Sequence, residues 1–373
     1  MTFARSDGNM FSQWWWTVDR WLLATLFLLL FCGAVFTMAA TPVVAMHLGL
    51  HRFHFVYRHL IYAVVANVLM IGTSLLSLRG TRRLSLVLFL LMLVLMVLVP
   101  LIGLEVKGAK RWVNLAGFSL QPSEFAKPAF AILTAWVLSE KHIISAFPGN
   151  RIAMGLCATF VGLLMLQPDL GMACIVFCIW FAQLFANGLP FFLVGIVIVI
   201  ATCGLTGAYF LFPHVSNRID RFLNLEVGDH YQIEKSLEAF RNGGILGVGP
   251  GEGTVKRCLP DAHADFIFSV IGEEFGFVFC IFLVALYTFI VLRGLAIAFQ
   301  EKNSFVVLAL VGLLGEFGLQ TFINMASTLH LVPTKGITLP FISYGGSSMV
   351  ATSICMGIVL ALTRRRALGE KEG

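Results

Sequence analysis

Residues 84–103 read LSLVLFLLMLVLMVLVPLIG, an apolar run without a charged side chain. An α-helix rises about 1.5 Å per residue, so roughly 20 residues cross the hydrocarbon core of a bilayer, and this run predicts a transmembrane helix. Similar runs recur along the chain, which predicts an all-α polytopic membrane protein with about ten transmembrane helices. The predicted spans are residues 19–42, 56–78, 84–103, 122–138, 152–167, 170–187, 190–212, 266–292, 304–330 and 347–363.

The overall composition agrees with a membrane protein. The 373 residues are 58% hydrophobic and only 12% charged, and the mean hydropathy is +0.87. A soluble domain carries about 25% charged residues, so this chain has too little polar surface to cover a water-soluble globule. The composition therefore excludes a soluble enzyme, a disordered chain and a nucleic-acid binder. The net charge of +6 favours anionic headgroups or phosphate-bearing ligands.

The charges that flank the spans predict the orientation of the chain. Ten spans place both termini on one side of the membrane. The basic clusters at residues 79–83 and 364–366 directly adjoin spans, where positive charge favours the cytoplasm. The predicted organisation is a short cytoplasmic N-terminus (1–18), a transmembrane domain (19–363) with one long extracytoplasmic loop (213–265), and a basic cytoplasmic tail (364–373).

The long loop contains two distinct segments. Residues 231–240 have the pattern of a short amphipathic helix, which Gly243 and Gly244 would end, and such a helix can lie in the headgroup plane. Residues 247–253 are rich in glycine but lack the lysine and hydroxyl residues that end a nucleotide-binding loop. We therefore interpret the second segment as a mobile hinge.

Ionisable residues at membrane depth are costly, so each one is a functional candidate. Glu124 and Lys127 are i,i+3 neighbours on one helix face. They are either an ion pair that makes insertion tolerable, or a cationic ligand that Glu124 orients in a cavity. Arg111 lies just upstream in a basic aromatic turn, which by itself indicates only contact with headgroups.

Asp265 stands where the long loop returns to the membrane, two residues after His263 and directly before an apolar helix. Aspartate is a favourable helix N-cap, which is the structural interpretation. The functional interpretation is a carboxylate at the mouth of a cavity that accepts a proton or binds a divalent cation. The next helix carries Glu273 and Glu274, and two adjacent acids cannot both face lipid, so at least one must point inward.

The ninth span and its exit are also polar. Glu316, Gln320 and Asn324 recur at i, i+4 and i+8 and form one stripe, which serves either as hydrogen-bonding glue between helices or as a cavity wall. Residues 333–348 contain two prolines and three glycines, and such backbone is tolerated at membrane depth only inside protein or along a watery cavity. Lys335 in this segment is a second candidate cation.

These features together predict an outward-facing polar cavity. Lys127 and Lys335 suit a phosphate-bearing ligand, and Asp265 suits deprotonation of a hydroxyl. The loop above the cavity suits gating. The residues alone do not separate an enzyme from a transporter.

Four stretches of the chain resemble the SEDS family of bacterial cell-wall proteins (shape, elongation, division and sporulation), and most closely its division branch. The resemblance extends over nearly the whole sequence. It implies a peptidoglycan glycosyltransferase of the inner membrane, at the division septum, that polymerises lipid II and releases undecaprenyl pyrophosphate. It also implies a class B penicillin-binding protein transpeptidase and other division proteins as partners. The stretches are GAKRWVNLAGFSLQPSEFAK (108–127), QPDLG (167–171), HADFIFSVIGEEFG (263–276) and PTKGITLPFISYGGSS (333–348).

The resemblance also implies a set of site residues. The essential aspartate of the family maps to Asp265, and Ala264 stands where the family commonly has threonine. Asp265 is then expected to deprotonate the acceptor sugar, directly or through a divalent cation such as Mg²⁺ or Mn²⁺, and no organic cofactor is expected. A lipid II flippase and a non-catalytic scaffold are the alternative functions. The candidate substrate-binding residues are Lys127, Glu124, Lys335, Arg111, His263 and Ser343.

Overall fold

The chain folds into a bundle of helices with one small sheet. The computed structural model describes residues 10–106, 109–115, 118–144, 146–223, 231–259, 261–333 and 336–364. The helices are α1 Met10–Thr17, α2 Arg20–His47, α3 His54–Ser74, α4 Leu78–Ile102, α5 Pro122–Ile143, α6 Gly149–Leu166, α7 Leu170–Ala186, α8 Phe191–Leu211, α9 Pro213–Leu223, α10 Tyr231–Gly243, α11 Ile267–Ala298, α12 Ser304–Thr328 and α13 Gly346–Leu362.

A helix lies on each of the ten predicted spans, so the helical polytopic class is confirmed. Seven of these helices (α2, α3, α4, α6, α8, α11 and α12) are long and apolar enough to cross a membrane, by length and composition. Two others, α7 and α13, are apolar but shorter, and α5 carries the ionisable residues Glu124, Lys127, Glu140 and Lys141. The number of ten spans therefore stays a prediction.

Helices α5 and α12 form the centre of the bundle. Every residue from 121 to 135 is buried, and α12 is the most enclosed of the long apolar helices. Helix α3 packs tightly along α13, because Gly357 has no side chain and lets the backbone of Met70 and the hydroxyl of Thr73 approach. In contrast, Ala208 is the only buried residue described for α8, so that helix presents nearly all of its apolar surface outward.

A three-stranded antiparallel sheet connects α4 to α5, which the sequence did not predict. Its strands are β1 Leu104–Val106, β2 Ala109–Leu115 and β3 Phe118–Leu120, in the order β1-β2-β3. Leu104 pairs with Trp112, and Val113 pairs with Leu120. The sheet brings the basic aromatic turn of the sequence back towards the helix bundle.

The predicted amphipathic helix of the long loop is confirmed as α10. It does not lie free on the surface, because Ser236, Ala239 and Gly243 are buried where α10 packs on α11. The apolar residues of α10, Ile233, Leu237 and Phe240, are only partly buried, and the ring of Phe240 contacts that of Phe268 in α11 at 5.6 Å between centroids. A 3₁₀ turn, Val255–Cys258, follows α10. The described parts of the loop, residues 213–223, 231–259 and 261–265, therefore include helices of their own.

The glycine-rich segment after α10 is bonded into an interruption of α11. Gly276 has φ 78° and ψ −178°, which breaks the helix. Because of the break, the backbone carbonyls of Glu273 and Glu274 do not accept hydrogen bonds from the amides of Phe277 and Val278, their usual helical partners. The backbone amides of Val248 and Gly249 donate to these two carbonyls instead, both at 3.0 Å.

The same break also frees two backbone amides of α11. Phe277 donates to the carbonyl of Gly244 at 3.0 Å, and Val278 donates to that of Ile245 at 3.3 Å. Residues 244–249 thus satisfy all four backbone groups that the break exposes, as buried backbone requires. These hydrogen bonds hold residues 244–249 against α11, whereas the glycines had predicted a mobile hinge.

Candidate active site

The backbone around Asp265 is fixed by the segment that leads into α13. The hydroxyl of Ser343 donates to the carbonyl of Ala264 at 2.6 Å. The backbone amide of Tyr344 donates to the carbonyl of His263 at 2.9 Å. Ser343 and His263, both predicted as substrate-binding residues, therefore help to place Asp265.

A third bond comes from the polar stripe of α12. The side-chain amide of Asn324 donates to the carbonyl of Asp265 at 3.1 Å and to that of Ile337 at 2.6 Å. A Cβ built on Gly336 would lie 3.3 Å from Oδ2 of Asp265, so the carboxylate lies directly against this backbone. Asp265 as a whole residue is only partly buried.

The helix-cap interpretation of Asp265 is not supported. Phe266 occupies the N-cap position of α11, and no side-chain cap bond is formed there.

An aromatic cluster lies beside Asp265. The ring of His263 contacts those of Phe55 at 5.2 Å and Tyr344 at 5.5 Å between centroids. The ring of His59 stacks on that of Tyr344, with 6.5 Å between the centroids. The side chain of His59 is buried, at 1% exposed, and neither of its ring nitrogens has a hydrogen-bond partner among the described residues. Burial raises the pKa of the Tyr344 phenol, and the charge of Arg58 opposes that shift. The N-terminal end of α3, which carries Phe55 and His59, thus contributes to this cluster.

Lys127 lies in the centre of the bundle and is fully buried. Its Nζ is 3.0 Å from Oε2 of Glu124 and 3.9 Å from Oε1 of Glu316, and it donates to Oε1 of Gln320 at 2.9 Å. Two carboxylates therefore surround one ammonium group, which offsets the cost of burying it. The ion-pair interpretation of Glu124 and Lys127 agrees with these contacts, and the role of Lys127 as a ligand in a cavity stays a prediction.

The stripe of α12 connects Lys127 to the segment that holds Asp265. The amide of Gln320 donates to the carbonyl of Thr338 at 3.2 Å and approaches Oγ of Ser348 at 3.4 Å. The hydroxyls of Thr338 and Ser348 are 2.7 Å apart. The stripe therefore acts as hydrogen-bonding glue between helices, one of its two predicted roles.

A gap lies beside the stripe of α12, and neither Lys127 nor Asp265 lines it. The gap beside the stripe leaves no room for a water molecule. The predicted common pocket stays a prediction, and in the described structure Lys127 is linked through Gln320 to Thr338 in the segment beside Asp265. Lys335, the other predicted cation, lies outside the described residues. The residues that line the gap are Glu316, Phe317, Gln320, Pro340, Thr352 and Cys355.

Arg111 is bound to the turn between α6 and α7. It projects from β2, and its Nε donates to the carbonyl of Gln167 at 2.9 Å. A second nitrogen donates to the carbonyl of Pro168, and a third is 3.5 Å from Oδ2 of Asp169. These contacts occupy the guanidinium group, so Arg111 fastens the sheet to the bundle.

The sequence predicted that Glu273 or Glu274 points inward, and both do, at 0% and 1% exposed. It did not predict that Glu273 anchors the long loop. The carboxylate of Glu273 accepts four hydrogen bonds, and Lys256 forms an ion pair with Glu274. The two adjacent acids were the only feature of the sequence that pointed to this anchoring role. The four donors are the backbone amides of Thr254, Val255 and Lys256 and the side-chain amide of Asn242, at 2.8, 2.8, 2.9 and 2.8 Å.

The family of the chain follows from comparison with known proteins. A family model described as a cell cycle protein, FtsW/RodA/SpoVE, matches residues 19–368. The chain belongs to this family. The resemblance to SEDS proteins that the four stretches indicated is therefore confirmed.

Relatives of this SEDS protein match over almost their whole length. The probable peptidoglycan glycosyltransferase FtsW of Caulobacter vibrioides is 43% identical over 365 residues, which covers 98% of this chain and 94% of the relative. The protein of the same description from Coxiella burnetii is 33% identical over 358 residues and covers 93% and 96%.

Solved structures of the family share the fold. The rod shape determining protein RodA of Thermus thermophilus matches with a TM-score of 0.68 at 29% identity, over 94% of this chain and 97% of that one. A chain from a peptidoglycan synthase complex matches with a TM-score of 0.77 at 29% identity, over 93% and 97%. That work concerns the coordination of polymerization and crosslinking.

Proposed function

We propose that this SEDS protein is a peptidoglycan glycosyltransferase that polymerises lipid II into glycan strands during septal synthesis in cell division. Undecaprenyl pyrophosphate is the released product. The names of the FtsW relatives support this function, at up to 43% identity over nearly the full chain. The observation that carries the chemistry is Asp265, a partly buried acid at the outer end of the bundle whose backbone carbonyl is held by Asn324.

Asp265 acts as the general base. Its carboxylate takes the proton from the 4-hydroxyl of the acceptor sugar while that oxygen attacks the anomeric carbon of the donor. The bond from this carbon to the pyrophosphate oxygen breaks, and the configuration inverts. Because pyrophosphate leaves as an anion without needing a proton, one carboxylate is enough, unlike in an ordinary glycosidase.

The bonds around Asp265 support this role because a general base must be held at a fixed distance from its substrate. Ser343, Tyr344 and Asn324 bind three consecutive backbone carbonyls, those of Ala264, His263 and Asp265. Side chains that are held in place before the substrate binds lower the entropy cost of the reaction.

Lys127 acts indirectly, through the side chains that it holds. Its ammonium is enclosed by protein, so it does not touch a substrate phosphate in this conformation. It holds Gln320, which in turn holds Thr338 in the segment that fixes Asp265. We propose that Lys127 is a positioning residue, and that Lys335 supplies positive charge for the leaving group.

A divalent cation at Asp265 is a further proposal. Within the described residues, no three side chains of His, Cys, Asp or Glu are grouped as a metal site. The described residues around Asp265 therefore do not form a preformed metal site. Loss of polymerisation on chelation, with recovery on adding Mg²⁺ or Mn²⁺, would support the proposal.

The partner and the location are proposed on related grounds. The peptidoglycan synthase complex in which a similar chain takes part supports a class B penicillin-binding protein transpeptidase as partner. Basic residues beside the spans support cytoplasmic termini in the bacterial inner membrane.

Purified protein, its transpeptidase partner and labelled lipid II test the function. We expect the wild type to make glycan strands and Asp265→Asn to make none, while Asp261→Asn, in the same turn, stays active. Strand synthesis at the wild-type rate by Asp265→Asn would refute the assignment of the base. Movement of lipid II across vesicles without polymerisation would instead favour the flippase alternative.

A further inference from the structure

A cavity separate from the Lys127 network opens between the outer half of α2 and the end of the long loop. It encloses about 480 Å³. Cavities of this size accommodate small ligands or headgroups. Its lining residues are Met38, Ala39, Pro42, Met46, Arg52, Gly251, Lys256 and Arg257.

One wall of this cavity is apolar and continues onto the membrane-facing surface of α2. Met38, Pro42 and Met46 follow each other at four-residue intervals and share one helix face. Met38 is 52% exposed and Met46 is 59% exposed. An apolar chain can therefore lie along this wall from within the bilayer.

The opposite wall is basic. Lys256 is buried, is paired with Glu274, and donates to the carbonyl of Ala39 at 3.0 Å. Arg52 lies over the ring of Phe53, at 5.6 Å from its centroid. Neither Arg52 nor Arg257 forms an ion pair with another described residue. Two guanidinium groups thus face the cavity without a compensating carboxylate.

The basic wall is fixed in advance. Glu273 binds the backbone amides of Val255 and Lys256, which places the 3₁₀ turn that carries Arg257. On the other side, Lys256 donates to the carbonyl of Ala39 in α2, in the turn that precedes Pro42. The arginines are therefore presented by a structure that needs little rearrangement on binding.

We propose that this cavity binds the phosphate group of a membrane lipid. Arg52 and Arg257 bind the phosphate oxygens through charge-assisted hydrogen bonds, and the lipid chain lies along Met38, Pro42 and Met46. Both an anionic phospholipid and a polyprenyl diphosphate offer this chemistry. The site does not depend on the proposed catalytic function, because binding is measured without turnover.

Native mass spectrometry of the full-length protein in detergent tests the proposal. The probes are phosphatidylglycerol and undecaprenyl diphosphate, each titrated separately. We expect Arg52→Gln and Arg257→Gln each to weaken binding of at least one lipid about tenfold, as loss of one charge-assisted contact predicts. Arg241→Gln is the matched control, because this exposed arginine of α10 does not line the cavity.

The outcomes separate the two lipid sources. Weaker binding of undecaprenyl diphosphate alone identifies a polyprenyl diphosphate site, and weaker binding of phosphatidylglycerol identifies a phospholipid site. Unchanged binding of both lipids, or an equal loss in Arg241→Gln, overturns the proposal. Thermal unfolding of each variant shows that the fold is intact, and failure of Asp265→Asn to lose activity would leave this result unaffected.

Discussion

Asn324 donates its side-chain amide to the backbone carbonyl of Asp265 across 59 residues of sequence. The same amide also binds the carbonyl of Ile337 at 2.6 Å. One side chain of α12 therefore joins the turn that carries the candidate base to the segment that leads into α13. The position of the carboxylate depends on three parts of the chain rather than on its own helix.

Replacing Asn324 by alanine should displace Asp265 and lower the rate of polymerisation. The variant loses both bonds and leaves buried carbonyls without a donor, at a cost of about 1–3 kcal/mol in the free energy of unfolding. A displacement of this kind lowers kcat by roughly ten- to a hundredfold. Initial rates with labelled lipid II measure the loss.

The control for Asn324→Ala is Thr321→Val. Within the described part of the chain, the hydroxyl of Thr321 donates to the carbonyl of Phe317 in its own helix. We expect near wild-type kcat for that variant. Equal losses of rate and stability in both variants would show that the effect is general weakening of α12, which is not what positioning predicts.

The sequence predicted the periodic features of this site but not the contacts between them. The stripe of Glu316, Gln320 and Asn324 was visible because helical neighbours recur every three or four residues. The bonds to Asp265 were not visible, because nothing local connects residue 265 to Ser343. Which residues become hydrogen-bond partners of Asp265 depends on how distant segments of the chain pack together.

The interruption of α11 shows a second limit of sequence analysis. The apolar run around Gly276 predicts a continuous helix, and a single glycine inside such a run is usually tolerated. The break is stable only because residues 244–249 supply partners for four backbone groups. This pairing depends on tertiary structure and leaves no local signal in the sequence. The sequence alone therefore predicts a hinge for this segment.

Removing the charge of Lys127 should destabilise the bundle strongly. Lys127→Met leaves Glu124 and Glu316 close together in the core without a cation. Breaking a buried ion pair by removing one partner costs about 3–5 kcal/mol. Chemical unfolding in detergent measures this loss of free energy of unfolding.

The matched comparison uses the same substitution elsewhere on α5. Lys141 is exposed near the end of the helix, so Lys141→Met should change stability little. Adding Glu124→Gln to Lys127→Met should restore part of the stability, because one unpaired carboxylate is removed. A double variant less stable than Lys127→Met would contradict the ion-pair explanation.

Neutralising Glu273 should loosen the long loop without unfolding the bundle. Glu273→Gln replaces one carboxylate oxygen by an amide nitrogen, which is a donor and repels the amides of residues 254–256. We expect faster hydrogen exchange at those three amides. Glu252→Gln, an exposed acid of the same loop, is the control and should leave their exchange unchanged.

Substituting Gly276 tests whether the break in α11 is required. A Cβ at this position would lie 2.6 Å from the carbonyl carbon of Leu246, and its φ of 78° is unfavourable for any residue with a side chain. Gly276→Ala should therefore separate the loop from α11 and lower polymerisation. In α12, Gly315 has no atom within 4 Å of its Cβ position. Gly315→Ala should be neutral or raise stability by up to about 1 kcal/mol, and the opposite order of the two variants in thermal unfolding would exclude a structural role for the break.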